Sequence, residues 1–158
     1  MLFISKSKKR VNRHSLEIFP KTLNRSSLRF RSLDITNREQ RKNVVDEIVD
    51  RFGCIDVLIN NAGFTYRAVM EHVTETEKLK QMEINFRAPM ELIRVTLPAM
   101  RKKSKGLIIK ISSVGGMMAL PTMSIYSASK FALEGANEAL YLVFTLDFLD
   151  GIFSKFNF

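Results

Sequence analysis

The sequence predicts an α/β fold: a doubly wound parallel sheet with helices on both faces. Three observations carry this expectation. Short apolar runs at 55–59 (IDVLI) and 107–111 (LIIKI) suit strands covered on both sides, capped amphipathic segments alternate with them, and polar clusters stand at their carboxyl ends. At 158 residues, 46% hydrophobic and 26% charged, the chain is expected to form one domain with a real core, which argues against disorder and fibrous repeats.

Taken in order, residues 1–27 form a basic irregular segment with Pro20 as a breaker and no sustained periodicity. The alternation LRFRSLDI over 28–35 predicts a strand that carries Asp34 and Ile35 at its carboxyl end. Thr36 and Glu39 have the spacing of a capping box, and Val44, Val45, Ile48, Val49 and Phe52 repeat at helical spacing until Gly53 ends the helix. The run at 55–59 empties into the turn Asn60-Asn61-Ala62-Gly63. Thr74 and Glu77 open a second capped helix; a longer one after Asn85 places Met90, Ile93, Leu97 and Met100 on one face, with Pro98 as a kink. Gly106 breaks the chain before the strand at 107–111, and a helix bearing Tyr126, Lys130, Leu133 and Leu140 follows. Ligands of parallel sheets collect at the carboxyl ends of strands, so Asp34, Asn60 to Gly63, and Ser112 with Ser113 are expected along one edge.

Charge excludes less than its size suggests. The net +9 would suit a polyanion, but the cations crowd between Lys6 and Arg31 without interleaved aromatics or a recognition motif, so a solvated segment and no nucleic-acid partner are expected. With Cys54 alone, neither an intramolecular disulfide nor a cysteine metal cluster can form, which fits a reducing, cytoplasmic setting. The apolar run at 2–4 is too short for a leader, and none approaches the ~20 residues of a membrane span.

Chemistry concentrates in residues 106–135. Tyr126 and Lys130, four residues apart on a helix, lie on one face. A tyrosine serves as an acid/base near neutrality only if its phenolate is favoured: lowering a pKa of about 10 by ~3 units takes ~4 kcal/mol, and a neighbouring ammonium acts in that direction. A serine hydroxyl at the nearby strand end can polarise the reacting oxygen. Taken alone, Tyr-x-x-x-Lys also fits a half-buried tyrosine beside a solvated lysine. Met117, Met118, Leu120 and Met123 flank the serine and tyrosine, where they would line an apolar substrate or simply pack on the next helix.

These segments together resemble the short-chain dehydrogenase/reductase family: Leu33-Asp34-Ile35-Thr36, Asn60-Asn61-Ala62-Gly63, Asn85 before a long helix, Ile111-Ser112-Ser113 with Gly115 and Gly116, and Tyr126-Ser-Ala-Ser-Lys130, in matching order over roughly 28–140. The resemblance implies an NAD(P)-dependent oxidoreductase that interconverts an alcohol and a carbonyl by hydride transfer. On it, Tyr126 exchanges the proton with the substrate oxygen, Lys130 tunes Tyr126 and bonds the nicotinamide ribose, Ser113 is the catalytic serine, and Asn85 holds the water of a proton relay. Asp34 and Ile35 meet the adenine, while Asn60, Ala62 and Gly63 line the adenosine half of NAD or NADP. A small-molecule alcohol or carbonyl partner and pairing of full-length subunits through the two long helices are also implied.

The chain departs from the family at both ends. Its first glycine is Gly53, so the glycine-rich pyrophosphate loop is not among residues 1–52. Beyond Leu140 the resemblance fades. The expectation is therefore a partial Rossmann-like catalytic domain over 28–158, lacking the first βα unit and the C-terminal strands, in a truncated chain that binds NADH or NADPH poorly. In the family's strand order the missing first strand leaves a gap beside the strand that ends at Asn60. Residues 2–5 read either as a remnant of the second strand or as part of the basic tail. Two alternatives remain: a non-catalytic fragment or interaction protein, and a relative of the nucleotide-sugar epimerases and dehydratases, which share Tyr-x-x-x-Lys.

Overall fold

The computed structural model describes the backbone of residues 2–4 and residues 31–148, with side chains over 31–141. The rest of the basic segment expected over 1–27 lies outside the described residues. Two compact units divide the chain: one takes the chain up to Gly63 together with Pro89–Lys110, the other Phe64–Ala88 and the chain from Ile111 onward.

The first unit holds the sheet. Strands β1 (Leu2–Ile4), β2 (Val57–Asn60) and β3 (Leu107–Lys110) lie in the order β1-β2-β3, all parallel. Leu58 is registered against Leu2 on one side and Ile108 on the other. Parallel pairing follows from composition, since apolar, β-branched runs with no polar face need cover on both sides. The gap expected beside β2 is thus filled by Leu2–Ile4, which stands in the first-strand position rather than the second. Residues 31–34 carry no strand, so the alternation read over 28–35 has no ladder in its described part.

Helix α1 (Arg38–Phe52) begins one residue later than the sequence suggests. Asp34 Oδ1 accepts from the Thr36 amide at 3.0 Å and the Thr36 hydroxyl at 2.8 Å, which turns that side chain back toward Asp34, and Asn37 is the N-cap, accepting from the Gln40 amide at 3.0 Å. The stop at Gly53 is as expected: its φ of 78° is left-handed, and its amide closes onto the Val49 carbonyl. Gly53→Ala should lower stability by about 1 kcal/mol, because a Cβ strains that conformation; a urea midpoint at or above wild type would refute this. Val45 of α1, Ile55, Leu58 of β2 and Leu92, Ile93 and Met100 of helix α3 (Ala88–Lys102) are the buried core. The buried stripe of α3 therefore runs through Leu92 and Thr96 rather than Met90 and Leu97, and Pro98 sits within the helix on its exposed side.

In the second unit Thr74 and Glu77 complete the expected capping box at the start of helix α2 (Glu75–Met82). A π-helical turn, Glu83–Arg87, carries the chain on into α3, so Asn85 lies inside a helical run and is not an N-cap. A 3-10 turn at Val114–Gly116 precedes helix α4 (Ser124–Phe148). Among the described residues, no helix is long and apolar enough to cross a membrane.

Candidate active site

All four expected catalytic residues lie in the second unit, where short polar contacts link Asn85 to the backbone of Tyr126. Asn85, 1% exposed, accepts from the Phe64 amide at 2.7 Å and donates to the Phe64 carbonyl at 2.8 Å and to Ser129 Oγ at 3.0 Å. Ser129 Oγ in turn donates to the Tyr126 carbonyl at 2.7 Å. The widened π turn thus aims Asn85 at the loop after Gly63 and at the first turns of α4, tying the backbones of Phe64 and Tyr126 through two side chains.

Along α4, Tyr126 and Lys130 share a face as their spacing requires, with Lys130 Nζ 5.9 Å from the Tyr126 ring centroid. Lys130 is 5% exposed and donates to the Ile111 carbonyl at 3.0 Å, so its stem is pinned to the chain leaving β3. An ammonium has three donors, and two remain for a ligand. Burial pushes this ammonium below the ordinary lysine value, while Tyr126 and Glu134 pull the other way.

Ser113 caps the 3-10 turn in extended backbone geometry, and its Oγ accepts from the Gly115 amide at 3.2 Å. With that lone pair engaged, the hydroxyl proton can be donated to a substrate oxygen. Ser112 and Ser113 are both half-buried, and the Ser112 Oγ is buried near Gly116 with no hydrogen-bond partner.

Two residues of this site escaped the sequence reading. Ser129 was only a spacer within Tyr126-Ser-Ala-Ser-Lys130, yet it joins Asn85 to Tyr126. Gly115 was one of a glycine pair, yet it packs on the Tyr126 ring. A small polar residue three after the tyrosine, on the same helical turn, was the available signal for Ser129; for Gly115 there was none beyond its place after the serine.

The residues expected at the adenosine end of the cofactor lie in the first unit, and Lys130, expected at the nicotinamide ribose, lies in the second. Asp34 is exposed in its turn, and Ile35 is buried, its carbonyl accepting from the Arg41 guanidinium. Asn60 is 5% exposed at the end of β2, with both side-chain polar atoms lacking a partner; Ala62 is buried and Gly63 exposed. An orphaned buried carboxamide is costly unless something bonds it, so the donor set fits a polar ligand at this strand end. A carboxamide of this kind could bond the adenosine part of a nicotinamide dinucleotide. Residues 1–52 contain no glycine, so no glycine-rich loop lies in that stretch of sequence. Among the described residues no group of three metal-ligating side chains gathers.

The family pattern described as short chain dehydrogenase matches residues 4–143. A 3-ketodihydrosphingosine reductase of Bacteroides thetaiotaomicron is 44% identical over 119 residues, covering 75% of this chain and 44% of that protein. Among solved structures, a short-chain dehydrogenase of Streptomyces avermitilis superposes with a TM-score of 0.70 at 38% identity, over 73% of this chain and 42% of that one. A gluconate 5-dehydrogenase of Burkholderia cenocepacia, in complex with NADP and tartrate, gives 0.68 at 27%, over 72% and 44%. The chain spans less than half the length of each of these relatives, and the fold it shares with them is Rossmann-like α/β.

Proposed function

The chain belongs to the short chain dehydrogenase family, and from that we propose that it serves as an NAD(P)-dependent oxidoreductase interconverting an alcohol and a carbonyl. The observation that carries the reading is that Ser113, Tyr126, Lys130 and Asn85 lie in one unit, with Lys130 beside the Tyr126 ring and Asn85 tied to the Tyr126 backbone through Ser129. When bound, the nicotinamide would supply or accept the hydride. Tyr126 would exchange the proton with the substrate oxygen, Ser113 would donate a hydrogen bond to it, and Lys130 would bond the ribose with its two remaining donors. Asn85, its side-chain amide committed to Phe64 and Ser129, would hold the water of a proton relay. Asp34, Ile35, Asn60, Ala62 and Gly63 would hold the adenosine end.

The substrate we propose is a keto compound with an apolar chain. Met117 is 79% and Met118 58% exposed in the loop after Ser113, where ordinary packing would have buried them, and Val69 and Met70 are exposed on a loop clasped to it by the Ala68 amide on the Thr122 carbonyl. The reductase from B. thetaiotaomicron is named for a 3-keto substrate. Titrating the purified chain with NADH and NADPH by nicotinamide fluorescence, then following cofactor oxidation with a long-chain 3-keto compound and with a sugar acid, tests both parts. Binding with faster turnover of the apolar ketone is expected; a preference for the sugar acid would end the substrate proposal, and no binding at millimolar cofactor would end the enzyme reading for this chain.

Lys130 adds a pH signature. Its proton leaves the folded chain below the ordinary value of 10.5. Between the two values the unfolded chain holds the extra proton, so stability rises with pH across the window while the ammonium that the ribose needs is lost. Cofactor affinity should therefore fall on the alkaline side before pH 10.5, and Lys130→Met should remove that limb. Constant affinity up to that pH would refute the ribose role.

A further inference from the structure

Gly115 lies buried between two of the residues assigned to the chemistry, and both of its faces are used. On one side its amide donates to Ser113 Oγ at 3.2 Å. On the other, a Cβ at this position would stand 3.0 Å from Tyr126 Cε1, 3.2 Å from Cδ1 and 3.6 Å from Ser127 Oγ. Carbon atoms in contact settle at about 3.5–4.0 Å, so a methyl group here would press on the ring edge rather than rest against it. The requirement is for space, not for a left-handed backbone.

The neighbouring glycines have different surroundings. At Gly116 a Cβ would meet Ser112 Oγ at 2.9 Å and the Lys130 carbonyl at 3.1 Å, a clash with the helix backbone itself. At Gly135 it would meet nothing within 4 Å. Of these three, Gly115 alone has the proposed acid/base ring as its nearest neighbour while its own amide holds the proposed hydroxyl donor.

We propose that Gly115 is a positioning residue for the reaction, one backbone unit that sets the Ser113 hydroxyl and the Tyr126 phenol against each other through its amide and its missing side chain. Its effect on turnover rests on the oxidoreductase reading above; its effect on the ring does not. Reacting groups must meet within a few tenths of an ångström of their productive geometry, and a displacement of about 1 Å costs on the order of 100-fold in rate. A tyrosine ring forced to swing about χ1 carries its hydroxyl with it.

The chain has three tyrosines and no tryptophan, so labelling with 3-fluorotyrosine gives three fluorine signals, with that of Tyr126 assigned through Tyr126→Phe. Gly115→Ala should shift or broaden the Tyr126 signal, leave those of Tyr66 and Tyr141 in place, and lower kcat about 100-fold with the cofactor KM unchanged. Gly135→Ala should do neither. In the unsubstituted chain, nuclear Overhauser contacts should join the Gly115 α-protons to the Tyr126 ring, which keeps the test independent of whether the alanine variant folds. A Tyr126 signal and kcat both unmoved in folded Gly115→Ala, or the lack of those contacts, would overturn the proposal. A moved signal in a chain that turns over no substrate would support the positioning and sink the oxidoreductase reading instead.

Discussion

Replacing Asn85 with leucine should destabilise the chain by about 3 kcal/mol, measured as a lowered urea midpoint at unchanged slope. The side chain is buried and makes three hydrogen bonds, to both polar groups of the Phe64 backbone and to Ser129. Leucine matches its size but returns none of them, and each buried group that loses its partner costs about 1–3 kcal/mol. Asn85→Asp keeps an acceptor for the Phe64 amide but sets a buried carboxylate oxygen against the Phe64 carbonyl and the Ser129 oxygen, so at neutral pH it should be no more stable than leucine. A leucine variant as stable as wild type would show that the network is ornamental, and would also remove the reason for assigning Asn85 a structural share in the site.

Tyr126→Phe should reduce turnover by about 10²–10⁴-fold while stability stays within roughly 0.5 kcal/mol. The substitution removes one oxygen and keeps the ring that Gly115 and Lys130 pack against. Cofactor affinity should survive, because Lys130 and its bond to the Ile111 carbonyl are untouched. Steady-state rates with fluorescence titration of the same preparation separate the two effects. Equal rates for Phe and Tyr would remove Tyr126 from the chemistry, whereas a joint loss of rate and affinity would make it a binding residue.

Local chemistry was legible in the sequence, and non-local chemistry was not. The Thr74 and Glu77 box and the Gly53 stop depend on groups within a few residues of each other, and both form as read. Thr36 was expected to cap α1; Asn37 does so instead, because Asp34 draws the Thr36 side chain back into a turn, a competition that spacing does not record. The alternation over 28–35 is likewise a property of one segment, whereas a strand needs a neighbour. For β1 the reverse holds: an apolar triplet that could be read as a strand remnant or as part of the basic tail finds its place only through β2. Tyr126, Lys130 and Ser113 could be picked out because their types and spacing are chemically suggestive. Gly115 and Ser129 act through contacts that appear only once the loop after β3 is laid on α4.

The three-stranded ladder also says something about how the chain reaches this state. Its rungs join Leu2 to Leu58 and Leu58 to Ile108, so each pairing closes a loop of about fifty residues, whereas Asn85 meets Phe64 at a separation of 21 and Lys130 meets Ile111 at 19. Loop entropy grows only slowly with length, so the penalty falls on the rate of folding more than on final stability. The helical contacts around Asn85 and α4 should therefore close first and the sheet last. Until it does, β2 waits with both edges open, a template that another copy of the chain can occupy. Refolding yield should consequently fall as protein concentration rises, and stopped-flow traces should show the sheet signal trailing the helix signal.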